Sequence, residues 1–240
     1  ITLIQDKLNM TLGGRVDQIN VSNEQALNPA YIIVDGVRND APPNQVVLWE
    51  AGEVDDISAS ANLGLLYSVA HDVDITFNAA RSFRSPSLDE RYQYIELGAA
   101  TYLGDPNLNP EVGSFVDLGL RVWKSKLSFS GNVFANYLNN LVIDEWRNDA
   151  LYVKNNIGKA RLWGGDASLE YKLNRTISTY ATIAYVRGED TAQNLDLPEM
   201  PPFNGRLGVH FPMLKLFDVN FYASFAAEQS KVAAGEISTP

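Results

Sequence analysis

The chain has 240 residues, 45% of them hydrophobic, which is enough for one large β domain or two small ones. A formal net charge of −10 without any basic stripe excludes nucleic acid as a partner, and the absence of cysteine excludes a disulfide framework and thiolate zinc sites. No run of about 18 uncharged apolar residues exists, so no transmembrane helix is expected; a β-barrel stays open, because it hides its apolar surface in every second residue. Residues 1–4 read as the tail of one strand. Nine further strands are expected at roughly 8–21, 57–69, 73–83, 114–123, 127–143, 153–171, 176–187, 203–211 and 216–228.

The signal is period two. In 73–80, Val73, Ile75, Phe77 and Ala79 alternate with Asp74, Thr76, Asn78 and Ala80. In 116–122, Val116, Leu118, Leu120 and Val122 oppose Asp117, Gly119 and Arg121. The same holds for Trp163, Ala167, Leu169 and Tyr171 against Asp166, Ser168, Glu170 and Lys172. A helix would need apolar residues at i, i+3 and i+4, and these segments lack that spacing.

Connections alternate in length. Short ones are expected at 70–72, 124–126, 174–176 and 212–215; long ones at 22–56, 84–113, 144–152, 188–202 and after 228. Such sorting predicts an antiparallel up-and-down sheet with two unlike ends, as in outer-membrane barrels, whereas a soluble sandwich has no reason to sort its loops. Alternation alone does not say whether the apolar face meets lipid or a protein core. Three features favour lipid. The apolar face is about ten residues long per strand, enough for a tilted crossing. Aromatics (Tyr67, Tyr137, Trp163, Tyr171, Tyr185, Phe211, Phe225) stand near its ends, as interfacial girdles do. The other face carries Asp74, Asp117, Arg121, Asp166, Glu170 and Arg206 in mid-strand, as a wet passage would.

Two breaker-rich stretches interrupt the strands. "RSFRSPSLDERY" (81–92) and "GDPNLNPE" (104–111) bound a connection longer than the roughly fifteen residues usual in compact domains. Pro86 restricts Ser85 to extended geometry. Asp105-Pro106 and Asn109-Pro110 stiffen the return path, and the Glu111 carboxylate is placed to accept backbone N–H bonds or to pair with Arg84 or Arg91.

These segments resemble the C-terminal barrel of TonB-dependent outer-membrane receptors. Phe83, Arg84 and Pro86 match an FRxP-type segment; Pro106, Asn107, Leu108, Pro110 and Glu111 match an N-P-N-L-x-P-E-type segment. "NVFANYLNNLV", "YVKNNIGKARLWGGDASLEY" and "LPEMPPFNGRLGVHF" follow in the family's order, so the resemblance covers essentially the whole chain. It implies an all-β transmembrane barrel of 22 strands, of which residues 1–240 would supply about nine or ten of the C-terminal portion. The plug domain and the last strand would lie outside this chain.

The resemblance further implies multi-pass residence in the bacterial outer membrane and TonB-energised uptake of a scarce, large solute. The TonB complex would act through the plug. No bond is made or broken, so neither catalytic residues nor a cofactor is expected, and no G-x-S-x-G, H-E-x-x-H or P-loop is present. A ferric siderophore or other iron complex is the expected cargo. Arg84, Arg91, Tyr92, Tyr94, Tyr102, Trp146, Arg147 and Tyr152 are the candidate contacts, since arginine pairs with anionic chelates and aromatic rings stack on planar ones.

Phe83, Arg84, Pro86, Pro106, Asn107, Leu108, Pro110 and Glu111 are expected to shape the loop and brace the rim. Residues 87–104 hold no histidine, and His71 and His210 fall at the short-turn end, so haem ligation by histidine is not expected there. Ligation by Tyr92, Tyr94 or Tyr102 stays open. The 22–56 connection is acidic, with Asp35, Asp40, Glu50, Glu53, Asp55 and Asp56 against Arg38; Asp55-Asp56 reads as solvated loop charge rather than a metal site. A passive porin-like or adhesive barrel segment, a haem or cobalamin receptor of the same family, and a soluble β domain are the alternatives.

Overall fold

A computed structural model describes residues 2–28, 32–39, 45–213, 217–233 and 236–238. In chain order the elements are β1 (Thr2–Ile4), β2 (Leu8–Asn23), β3 (Ala26–Leu27), β4 (Ile32–Val34), β5 (Val37–Asn39), β6 (Val47–Trp49), β7 (Gly52–Ala70) and β8 (Val73–Arg84). There follow helix α1 (Leu88–Tyr92), β9 (Tyr94–Leu97), β10 (Ala100–Leu103), β11 (Glu111–Trp123), β12 (Leu127–Asn148) and β13 (Leu151–Lys172). The last four are β14 (Ser178–Asp190), β15 (Leu195–Asp196), β16 (Asn204–Met213) and β17 (Phe217–Ala226).

One antiparallel meander carries the architecture, in the order β1-β2-β7-β8-β11-β12-β13-β14-β16-β17. Over the described residues the sheet does not close, and β1 and β17 are its edges. The sorting of connections holds. Tight turns join β7 to β8, β11 to β12 and β13 to β14 at one end, while the segments 85–110 and 191–203 and the described residues of 24–51 lie at the other. The turn expected at 212–215 lies partly outside the described residues. One expected loop is corrected: 144–152 is strand, because β12 and β13 pair from Leu127–Tyr171 up to Asn148–Leu151 and leave only a two-residue tip. This hairpin stands above the rim, since the ladder of β11 on β12 begins only at Val112–Asn139.

Cross-strand register turns the alternation into two surfaces. Val73, Val122, Phe129, Leu169, Ala181, Leu207 and Ala223 form one continuous row, and Leu65, Phe77, Leu118, Val133, Gly165 and Tyr185 form another on the same face. Nothing covers them: Leu118 is 50% exposed, Val133 58% and Leu207 62%. Among the described residues the buried apolar side chains are Pro86, Leu108, Ala160 and Leu197, none of which belongs to these rows, so the sheet has no second layer. The opposite face carries the row Asp74, Arg121, Ser130, Ser168, Thr182, Arg206 and Ser224. There the Ser130 and Ser168 hydroxyls bond at 2.7 Å, and Arg206 Nε donates to Ser224 Oγ at 3.1 Å. On β13 the outward apolar stretch runs from Tyr171 to Trp163, close to the 9–11 residues that a tilted strand needs to cross hydrocarbon. Trp163 meets Tyr185 edge to face at 5.5 Å near its upper limit. An exposed apolar face of this extent fits the lipid-facing outer band of a transmembrane barrel.

Candidate functional site

The long-loop end holds a second, smaller construction built from the 85–110 connection. Ser87 caps α1 by a reciprocal box: its Oγ accepts from Glu90 N–H at 3.2 Å, and its own N–H donates to Glu90 Oε2 at 2.8 Å. The helix was not expected from the breaker-rich composition, although the Ser-x-x-Glu spacing of Ser87 and Glu90 was its signature. Beyond α1 the chain forms a hairpin, β9 on β10, with Tyr94 opposite Leu103 and Leu97 opposite Ala100. β10 then adds in parallel to the raised part of β13, pairing Thr101 with Leu151, Tyr102 with Tyr152 and Leu103 with Val153. Thr101 N–H donates to Ala150 O at 2.7 Å. A four-stranded sheet, β9-β10-β13-β12, therefore rises above the rim.

One row of that sheet reads Ile95, Tyr102, Tyr152, Trp146. Tyr102 and Tyr152 stack with centroids 4.8 Å apart and planes 8° from parallel, and Trp146 is 59% exposed. Side chains alternate along β13, so Tyr152 shares the face of Asp166 and Ser168, the polar face below. On that same face Lys154 Nζ and Asp144 pair at 2.9 Å and neutralise each other.

The candidate arginines behave differently from one another. Arg84 donates from Nε to Glu111 at 2.6 Å and from Nη1 to Glu90 at 2.7 Å, so two carboxylates hold it at the head of β8. Burial works against the Glu90 carboxylate, but the Arg84 guanidinium and the Ser87 N–H outweigh it and hold its pKa below the ordinary value. Arg147 pairs with Glu145 at 2.9 Å and stays exposed.

Arg91 is 0% exposed and presents no surface to a ligand. Its Nη1 donates to Pro106 O at 2.7 Å and Leu108 O at 3.0 Å, and its Nη2 to Asp56 Oδ2 at 2.8 Å. Asp56 is correspondingly 7% exposed and also accepts from Ser85 Oγ, which corrects its reading as solvated loop charge. Asp55 is exposed and accepts from Asn20 at 3.0 Å. Asp40 lies outside the described residues.

Tyr92 meets Trp49 edge to face at 5.9 Å, joining the 24–51 and 85–110 segments, and Tyr94 Oη donates to Glu96 at 2.7 Å. Among the shaping residues, Phe83 pairs with Val112, Pro86 is buried, and Leu108 is 4% exposed. Asn107 N–H donates to Asp105 Oδ1 at 2.8 Å. Glu111 accepts from Arg84 and, through Oε1, from Val142 N–H at 2.8 Å.

Three asparagines complete the clasp. Asn156 Oδ1 accepts from Asn109 N–H at 2.8 Å, Asn156 Nδ2 donates to Asn140 O at 2.6 Å, and Asn140 Nδ2 donates to Pro110 O at 3.2 Å. Asn140 has φ +59°, a conformation that asparagine tolerates better than most residues. Asn140 and Asn156 were missed in the sequence; they stand in long strands with no local mark, and they bond to each other and to Asn109 and Pro110 of the 85–110 connection.

An open, single-layer antiparallel sheet with a lipid-type outer band, a polar inner face and all its elaborate loops at one end is a segment of a transmembrane β-barrel. The chain belongs to the TonB-dependent receptor β-barrel family: the family model described as "TonB dependent receptor-like, beta-barrel" matches residues 1–237. Barrels of that family lie in the bacterial outer membrane. Among solved structures, the copper transporter OprC is 18% identical, with a TM-score of 0.77 over 96% of this chain and 34% of its own. The hemophore receptor HasR of Serratia marcescens is 15% identical, with a TM-score of 0.69 over 92% and 41% of the two chains. The ferric-catecholate import receptor Fiu of E. coli K12 is 16% identical, with a TM-score of 0.65 over 99% and 34%. The chain thus spans about a third of the length of OprC and Fiu. No curated protein matches it.

Proposed function

We propose that this chain is barrel wall and cargo mouth of a multi-pass outer-membrane receptor that takes up a scarce iron complex, a ferric siderophore above all. Uptake is energised by the TonB complex acting through a plug domain. Family membership supports receptor-type transport, and the observation that carries the cargo reading is the row Tyr102, Tyr152, Trp146 on the passage side of the loop end. Aromatic rings aligned there offer stacking to the planar groups of a chelate, with Arg147 and Tyr94 at the margin of the same sheet. The neutral Lys154–Asp144 pair beside the row suits a bulky complex of low net charge.

The test is binding of a panel of ferric catecholates, ferric hydroxamates, haem, cobalamin and Cu(II) to the intact protein, with uptake followed before and after collapse of the proton-motive force. The expected result is one ferric chelate bound and imported only in energised cells. Import that continues after collapse rejects the receptor reading, and binding of Cu(II) or cobalamin alone rejects the iron reading.

A further inference from the structure

Arg91 is the one large side chain among the described residues with less than 2% exposure, and it sits on the short helix α1 within the 85–110 connection. A surface loop seldom hides a guanidinium completely; the cost falls when the charge is paired and its N–H groups are used, and at Arg91 only Nε is left without a hydrogen-bond partner among the described residues. Here the two terminal nitrogens are used in a particular way. Nη1 ties α1 to Pro106 and Leu108, on the far leg of the β9–β10 hairpin, and Nη2 ties both to Asp56 on β7. The hairpin base is closed by Gly104 N–H donating to Gln93 O at 2.8 Å and Asp105 N–H donating to Glu90 O at 3.1 Å. Arg91 therefore cross-braces the foot of the hairpin and bolts it to the barrel wall.

What stands on that foot is weak by itself. β9 and β10 are four residues each, and an isolated two-stranded hairpin is marginal in water. Its bond to the wall is a parallel ladder of three residue pairs, the less stable kind of pairing. Tyr102 reaches Tyr152 only while that ladder is formed.

We propose that Arg91 is a positioning residue for cargo: it never touches the ligand, and it sets the fraction of molecules in which the β9–β10 hairpin is docked with Tyr102 on Tyr152. The assignment rests on the receptor reading above for its link to cargo, but not for its link to the hairpin. Releasing the brace lowers the docked fraction, and apparent affinity falls by that same fraction.

Residues 1–240 contain no cysteine, so an introduced pair is the one disulfide these residues can form, and it can replace the brace. Thr101 and Leu151 are ladder partners on the face opposite the tyrosine pair, and the roughly 4.7–4.9 Å between neighbouring strands lies within the range that a disulfide spans. The experiment compares wild type, Arg91→Ala, and Arg91→Ala carrying Thr101→Cys and Leu151→Cys, all as intact protein in outer membranes. Readouts are limited proteolysis between 94 and 103, heat-modifiable migration of the barrel, and affinity for the panel member that the wild type binds. Arg91→Ala is expected to become cleavable in 94–103 with an unchanged barrel, and to lose affinity about tenfold if the docked fraction drops to about a tenth. Oxidation of the cysteine pair is expected to restore both, and reduction to abolish the rescue.

Continued protection of 94–103 in Arg91→Ala overturns the proposal. So does lost affinity that oxidation does not recover, since a direct contact cannot be replaced by a remote cross-link. If Arg91→Ala does not assemble, Asp56→Asn with the same cysteine pair carries the same comparison. If the wild type binds no panel member, the cargo reading fails, while proteolysis and its rescue still decide the role of Arg91.

Discussion

Tyr102 lies flat on Tyr152, centroids 4.8 Å apart, because a loop strand has joined a barrel strand in parallel within an otherwise antiparallel meander. The pair forms the middle of a row that runs from Ile95 to the exposed Trp146. Removing it tests the mouth directly. Tyr152→Ala with Trp146→Ala is expected to weaken cargo binding by roughly 1–3 kcal/mol, the usual range for losing stacked aromatic area. Barrel assembly should be unaffected, and titration of the bound ferric chelate reads the difference. Equal affinity in the double variant would move the cargo elsewhere.

The Glu111 carboxylate serves Arg84 and the Val142 N–H together. Glu111→Ala leaves both without this acceptor. The expected cost is about 1–3 kcal/mol, confined to the junction between β11 and the raised hairpin. Amide hydrogen exchange at Val142 should accelerate accordingly while exchange at Leu118 stays slow. Unchanged protection at Val142 would show that the bond carries no stability.

Acid should loosen the same corner. The Glu90 pKa is held below its ordinary value, so its contribution is complete above that value and is lost as pH falls through the depressed one. Protease sensitivity of 85–110 is therefore expected to rise below about pH 4. The rise should be blunted in Glu90→Gln, which has no carboxylate to titrate. An acid response of equal size in that variant would assign the transition to another group.

Gly104 is needed for close approach rather than for an unusual backbone angle. A Cβ there would stand about 2.5–2.6 Å from the backbone of Arg91 and Tyr92. Gly104→Ala is expected to push the hairpin base off α1 at a cost of about 1–3 kcal/mol and to open 94–103 to protease. Wild-type protection would indicate that α1 shifts at little cost.

Lipid contact has its own test. Leu118→Arg and Val133→Arg place charge in the middle of the outer band and should each cost about 2–4 kcal/mol of barrel stability, whereas Ser130→Arg on the polar face should cost far less. The yield of heat-modifiable protein in outer membranes separates the cases. Equal tolerance on both faces would contradict a lipid-facing outer band.

Strand positions, their two faces and the sorting of turns were legible in the sequence, because each depends on neighbours two residues away or on a local run of breakers. The lipid face was legible as well, once the long and short connections were counted. Loop-end charges were not. Arg84 and Arg91 look alike in "RSFRSPSLDERY", yet one is half-exposed between two carboxylates and the other is sealed against Asp56, whose place on β7 the local sequence does not reveal. The parallel joining of β10 to β13 was equally hidden, as was the length of the β12–β13 hairpin, read as a loop over 144–152 because polar residues interrupt its alternation. Periodicity records which face of a ribbon is greasy. Which loop reaches which strand depends on closing chain over long separations, and only the assembled structure decides it.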